Sequence, residues 1–165
     1  MRDNLIRDLL NYLDRDGNLS TGHCPPDAEA FLEELDIPLD VKRLFQWRWI
    51  NKPCKLGPYN FYSVKEIISN EDFGNFLKDN IVPIGWAING DPLVLNFPDE
   101  EICEVGLISH DQYYEEECGP TEAYTRVKKT VEELLHSIVE DRFLPIDYYS
   151  AIELNEIISS QNENV

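Results

Sequence analysis

The stretch Ile81-Val82-Pro83-Ile84-Gly85-Trp86-Ala87-Ile88-Asn89-Gly90-Asp91-Pro92-Leu93-Val94-Leu95-Asn96-Phe97 decides how the chain folds. Ile84, Trp86 and Ile88 alternate with small or neutral residues, the period of two that a strand with one buried face requires. Asn89-Gly90 follows, a dipeptide that accepts the positive φ angles of a tight hairpin turn. Leu93, Leu95 and Phe97 alternate again until Pro98-Asp99 breaks the run, and Ile102 to Ile108 fits a third strand. The expectation is an α+β fold. A mostly antiparallel meander over about residues 81–108 would bury one face beneath helices from both ends of the chain.

Upstream, Leu5, Ile6, Leu9, Leu10 and Leu13 share one face of a helix over about Asp3 to Leu13. Asp14-Arg15-Asp16-Gly17-Asn18 ends it. Read as a calcium loop, the same register puts Tyr12 at the first ligand and His23 where a bidentate glutamate belongs, so the segment reads as a turn. Pro25-Pro26-Asp27 opens a second helix with Phe31, Leu32 and Leu35, closed by Ile37-Pro38. Asp40 is expected to cap a short helix bearing Val41, Leu44 and Phe45, with Trp47 and Trp49 in the core and Arg48 outward. Pro53 to Pro58 reads as a loop and Tyr59 to Tyr62 as a short strand. Ser63 caps a helix through Val64, Ile67 and Ile68; after Asn70-Glu71-Asp72, Phe73, Phe76 and Leu77 extend the apolar face to Lys78.

Downstream, Asp111 to Pro120 reads as an acidic, aromatic loop or edge. Thr121 to Asp141 reads as the clearest helix, because Val127, Val131, Leu134, Leu135, Ile138 and Val139 form one stripe at helical spacing. A shorter helix is expected over Tyr148 to Ile158, with residues 159–165 a frayed tail and residues 1–158 a single domain.

Charge is the strongest compositional signal. Thirty-two acidic and fourteen basic side chains leave a net charge of −18. Such a chain repels nucleic acid and anionic membranes and attracts basic partners. The distribution is uneven: Asp79 to Thr125 holds eleven acids and no Lys or Arg, whereas Val41 to Asn60 holds five Lys or Arg and no acid. No run is long and apolar enough for a membrane span, and the charged opening lacks a signal-peptide core, so a cytoplasmic location is expected. Cys24, Cys54, Cys103 and Cys118 have no close pairing and read as free thiols.

No nucleophile elbow, phosphate loop, dinucleotide fingerprint or His-Glu-x-x-His motif is present. His110-Asp111 is a candidate acid–base pair, but neighbours on a strand point to opposite faces, and capping the strand end suits it better. The runs Asp99-Glu100-Glu101 and Glu115-Glu116-Glu117 supply paired carboxylates but read as solvated loops rather than a glycosidase pair. The candidate partner-binding residues are Asp99, Glu100, Glu101, Glu104, Tyr113, Tyr114, Glu115, Glu116 and Glu117. Tyrosines would supply anchoring area and carboxylates steering.

Several segments together resemble the SUKH superfamily, which includes the Smi/Knr cell-wall-assembly-regulator domain and bacterial toxin-immunity proteins. They are Ile81-Val82-Pro83-Ile84-Gly85, Gly90-Asp91 before an apolar strand, a strand ending in His110-Asp111, the helix start within Glu34 to Phe45, and the strand-to-helix step Phe61-Tyr62-Ser63-Val64-Lys65-Glu66-Ile67. The resemblance spans roughly residues 28–140. Trp47-Arg48-Trp49-Ile50-Asn51-Lys52 stands where the family often has an Asn-Gly-Gly turn. The resemblance implies a protein-binding module without catalysis or cofactor, and in the bacterial branch an immunity protein that neutralises a toxin, many of them nucleases. An acidic surface would block a basic nuclease cleft by mimicking its substrate. The alternatives are a regulatory scaffold of the Smi/Knr type and an enzyme using surface carboxylates with His110.

Cys103, His110 and Cys118, even with His23 and Cys24, match no zinc-module spacing. The purified protein is therefore expected to carry no structural zinc. Stoichiometric zinc by atomic absorption, with unfolding on chelation, would overturn this.

Overall fold

A computed structural model describes residues 5–14, 23–99, 102–115 and 118–162. Its centre is a six-stranded sheet in which every strand pairs antiparallel with its sequence neighbour, in the order β1 to β6. The strands are β1 (Cys54–Leu56), β2 (Tyr59–Phe61), β3 (Ile81–Ala87), β4 (Pro92–Asp99), β5 (Ile102–Ile108) and β6 (Tyr124–Lys128). Helices α1 (Leu5–Leu13), α2 (Pro26–Glu34) and α3 (Leu39–Trp47) precede the sheet. Helices α4 (Val64–Ser69) and α5 (Phe73–Lys78) bridge β2 to β3, and α6 (Val131–Val139) and α7 (Tyr148–Asn162) close the chain. The fold is α+β, as the alternation around Asn89-Gly90 predicts.

The sheet is covered on both faces, not one. Leu93, Leu95, Phe97, Val105 and Leu107 join the main core with Leu32, Leu44, Phe45, Leu134 and Leu135 from the helices. The alternate residues Val94 and Ile108 join Ile81, Phe76 and Ala123 in a smaller core on the second face. Complete burial of Leu93, Val94 and Leu95 in succession is the mark of a strand at the centre of a sandwich of layers.

The alternation from Ile84 to Ile88 is broken for a local reason. A bulge between Pro83 and Gly85 adds one residue to β3, and a one-residue shift exchanges the faces of every side chain beyond it. Ile84 shares the main core with Val82, whereas Trp86, beyond the bulge, is half-buried on the second face and Ile88 sits in the turn, 68% exposed. The turn also differs from the two-residue form suggested by Asn89-Gly90. Gly90 N–H donates to Ala87 O at 3.0 Å and Ala87 N–H to Asp91 O at 2.8 Å, and only Gly90 has positive φ (98°). This is a three-residue loop closed by a left-handed glycine.

Several local expectations hold. Ser63 begins α4 with a reciprocal capping box to Glu66, and α2 opens at Pro26. Others are corrected. Asp40 lies in the first turn of α3, whose N-cap is Pro38. Pro53 to Pro58 contains β1 and the turn that returns it to β2. Trp49 is in the core and donates its indole N–H to Tyr62 O at 2.8 Å, but Trp47 is 52% exposed. Val41, Leu44 and Phe45 define the buried side of α3, and Trp47 projects from the other. Beyond Asp14, the turn expected to end α1 lies outside the described residues.

The largest correction concerns Thr121 to Asp141. Tyr124 to Lys128 is β6, and the helix starts only at Val131, behind an N-cap in which Thr130 Oγ1 accepts from Glu133 N–H at 3.1 Å. Val127 matches the helical stripe by coincidence and reaches the same core from a strand. The Thr130-x-x-Glu133 capping signal was present in the sequence. Helix α7 is the longer of the last two and continues to Asn162, beyond the position where fraying was expected.

On the second face, Tyr124 lies across Gly106, where a Cβ would stand 2.2 Å from the Tyr124 ring and 2.5 Å from Thr125 O. Gly106→Ala is expected to cost about 1–3 kcal/mol through overpacking. An unchanged urea midpoint would show that Tyr124 does not occupy this position.

Candidate partner-binding surface

The second face carries an aromatic shelf in which Tyr114 is exposed and Tyr62 and Trp86 are half-buried. Tyr62 follows β2 and Trp86 lies on β3; their rings meet at 5.0 Å, brought together by the Asn60–Trp86 register. Beside them, a π-helical turn over Asp111–Glu115 folds Tyr113 against Phe76, with ring centroids 5.0 Å apart. Tyr114 packs edge-on against Tyr113 at 4.7 Å and remains 55% exposed. Its hydroxyl donates to Asp72 Oδ2 at 2.5 Å, which fixes the turn to the start of α5. Burial first, then Asp72, pushes the Tyr114 hydroxyl well above the ordinary tyrosine range. Burial, followed by the Glu66 carboxylate, also raises Tyr62. Both phenols stay protonated at neutral pH, giving polar-tipped rings of which Tyr114 is held by Asp72.

The structure separates residues that the sequence groups together. Asp99 ends β4 at the β4–β5 turn, whereas Tyr113 and Tyr114 follow the far end of β5, about 20 Å away at the usual strand rise. Glu100, Glu101, Glu116 and Glu117 lie outside the described residues, as do the side chains of Asp99 and Glu115. Glu104 is engaged within the sheet: Arg126 Nη1 lies 2.9 Å from its Oε1, and Tyr124 OH donates to Oε2 at 3.4 Å. Tyr113 and Tyr114 therefore belong to the shelf, and Glu104 serves the sheet. Asp72, Tyr62 and Trp86 join the shelf without having been singled out; no sequence period connects them, because the bulge and the π-helical turn bring them together.

A cleft of about 540 Å³ lies between the α2–α3 turn and the end of β4, lined in part by Asp36, Leu39, Asp40 and Pro98. Its acidic lip suits a cationic side chain.

Asp91 is the unexpected member of the acidic stretch, since its carboxylate is buried rather than solvated. Oδ1 accepts the His110 backbone N–H at 3.0 Å and faces His110 Nδ1 at 2.6 Å; Oδ2 accepts Tyr148 N–H at 2.7 Å and Asn89 Nδ2 at 2.8 Å. Burial alone would raise its pKa. The His110 and Tyr148 amides, the His110 ring and the Asn89 amide outweigh burial and hold the carboxyl below its ordinary value. His110 and Asp111 lie beyond the end of β5, and Nε2 reaches Asp111 Oδ1 at 2.9 Å. Asp91 thus orients the imidazole as a base is oriented in catalysis, but the nitrogen that would face a substrate meets Asp111.

Among the described residues, no cluster of three His, Cys, Asp or Glu side chains is arranged to hold a metal, and no helix is long and apolar enough to cross a membrane. The four cysteines are unpaired as disulfides. Burial pushes the Cys103 thiol to about 12 and the Cys54 thiol to about 11, which keeps both protonated and weakly nucleophilic.

Asp91→Asn is expected to destabilise the protein by about 3 kcal/mol in urea denaturation, because it removes a buried, multiply hydrogen-bonded charge. A depressed folded-state pKa means that this contribution is complete above the ordinary carboxyl value of 3.8 and is lost as pH falls through the folded value. The gap between wild type and variant should therefore be constant near neutrality and close in acid. A gap unchanged down to pH 2 would refute the assignment.

Comparisons with protein-family models, curated proteins and solved structures find no match to this chain.

Proposed function

We propose that this chain is a protein-binding module that holds a basic protein partner and performs no chemistry on it. The observation that carries the reading is the Tyr62–Trp86–Tyr114 shelf. It is an anchored aromatic surface beside Asp72, continuous in sequence with a stretch holding eleven acids and no Lys or Arg. Aromatic rings supply contact area with little side-chain entropy to lose and attract guanidinium and ammonium groups across their faces. Surrounding carboxylates raise the encounter rate with a basic protein, by up to tenfold to a thousandfold at low salt.

The partner class is a toxin, and the chain acts as a cytoplasmic immunity protein of the SUKH kind. A nuclease toxin fits the charge argument, because its phosphate-binding cleft is basic and an acidic surface can occupy it. The mechanism is steric and electrostatic blockade.

The test begins with affinity capture from the native host and mass spectrometry. The expected partner is a basic protein whose toxicity is relieved by co-expression. Tyr114→Ala combined with Trp86→Ala should weaken its binding by at least tenfold. Lysine at positions 115, 116 and 117 should slow association at low salt and flatten its salt dependence, with little change in folding stability. A partner bound equally well by all these variants would place the interface elsewhere. A regulatory partner without toxicity would replace the immunity reading with a scaffold.

A further inference from the structure

Helix α7 carries a second surface that the aromatic shelf does not use. Tyr148 and Ala151 are buried, and Asn155 Nδ2 donates to Arg126 O at 2.9 Å, which fixes one side of α7 against β6. The outward side holds Tyr149, Glu153 and Ile157 at positions i, i+4 and i+8, one line along the helix. Tyr149 and Ile157 are each more than half exposed, and the adjoining Ile158 and Ile146 are nearly as open. Phe143, in the connection from α6, is 71% exposed. Large apolar side chains are therefore presented to solvent along α7 and the segment leading into it.

Charge identifies the occupant. From Phe143 to Val165 the chain has four acids, Asp147, Glu153, Glu156 and Glu163, and no Lys or Arg. Glu153 and Glu156 are exposed on the same helix as Tyr149 and Ile157. A second copy of this chain would bring acid against acid, and an anionic bilayer would be repelled. A helix with an apolar stripe flanked by Lys and Arg satisfies both features, burying Tyr149 and Ile157 while pairing with Glu153 and Glu156.

We propose that the outer face of α7, with the segment leading into it from Ile146, docks a cationic amphipathic helix of a partner protein. It is a second contact surface, separate from the aromatic shelf, and its test does not depend on the shelf.

The probe is a designed Leu/Lys amphipathic helix titrated into the isotope-labelled full chain and followed by amide NMR. Two control peptides are used, a Ser/Lys peptide of equal charge and a neutral Leu/Gln helix. Saturable shifts are expected on residues 146–158, with at least tenfold weaker binding by both controls. Ile157→Glu with Tyr149→Ala should weaken the Leu/Lys peptide by at least tenfold, while circular dichroism confirms that the variant is folded. Trp86→Ala should leave this binding unchanged. The proposal is overturned by shifts spread over the acidic loops, by equal binding of the Ser/Lys peptide, or by equal binding to the variant. Sedimentation revealing a dimer that Ile157→Glu dissolves would assign the face to self-association. Binding to phosphatidylglycerol vesicles lost in the same variant would assign it to a membrane surface. Either result overturns the proposal.

Discussion

The Asp91 carboxylate ties together parts of the chain that are distant in sequence. Its oxygens accept from Asn89 in the β3–β4 turn, from His110 just past β5 and from Tyr148 at the start of α7. A buried carboxylate left without these donors would be too costly to retain, so the hairpin, the strand end and the helix start are compatible only together. Tyr59 adds a neighbouring tie, its hydroxyl donating to Pro145 O at 2.7 Å. The turn that leads into α7 is thereby fixed to the sheet at two points. The position of the aromatic shelf follows from the same anchor, since the π-helical turn starts immediately after His110.

Covering both faces of the sheet unequally determines what the protein can present. The main core takes side chains from all seven helices, including Phe73 of α5 and Ala151 of α7. Among the described residues, the second face is covered by the Phe76 side of α5, the turn bearing Tyr113, and Ala123 and Tyr124 where β6 begins. Rings at its margin are consequently packed on one side and wet on the other, as for Tyr62, Trp86 and Tyr114. Such residues are rigid without being enclosed, which suits recognition better than chemistry. The bulge in β3 contributes directly, because without the extra residue Trp86 would point into the main core.

The acidic charge has several distinct uses. Asp91 fixes architecture, Glu104 binds Arg126 across β5 and β6, and Asp72 holds the Tyr114 hydroxyl. The carboxylates that remain for long-range attraction are spread over loops and several helices, α2, α6 and α7 among them. Net charge alone would have credited every carboxylate to steering, although those with buried or bonded oxygens act over a few ångströms.

The sequence by itself determined the fold class, the existence of β3 to β5, and the start of α4 at Ser63. These depend on short-range patterns: alternation, a turn dipeptide and a capping box are complete within a few residues. It also established the charge imbalance, which needs no geometry. Tertiary structure alone decided that Tyr124 to Lys128 is a strand, because β5 offers that segment a pairing edge that outweighs a stripe of helical spacing. It alone decided which side chains each face receives, since one bulged residue inverts the pattern and leaves no trace in hydrophobicity. The candidate surface was legible only as Tyr113 and Tyr114. Tyr62, Asp72 and Trp86 reach them through the sheet register and the path of α5, and Asp91 reaches His110 and Tyr148 across 19 and 57 residues, separations over which local sequence patterns carry no information.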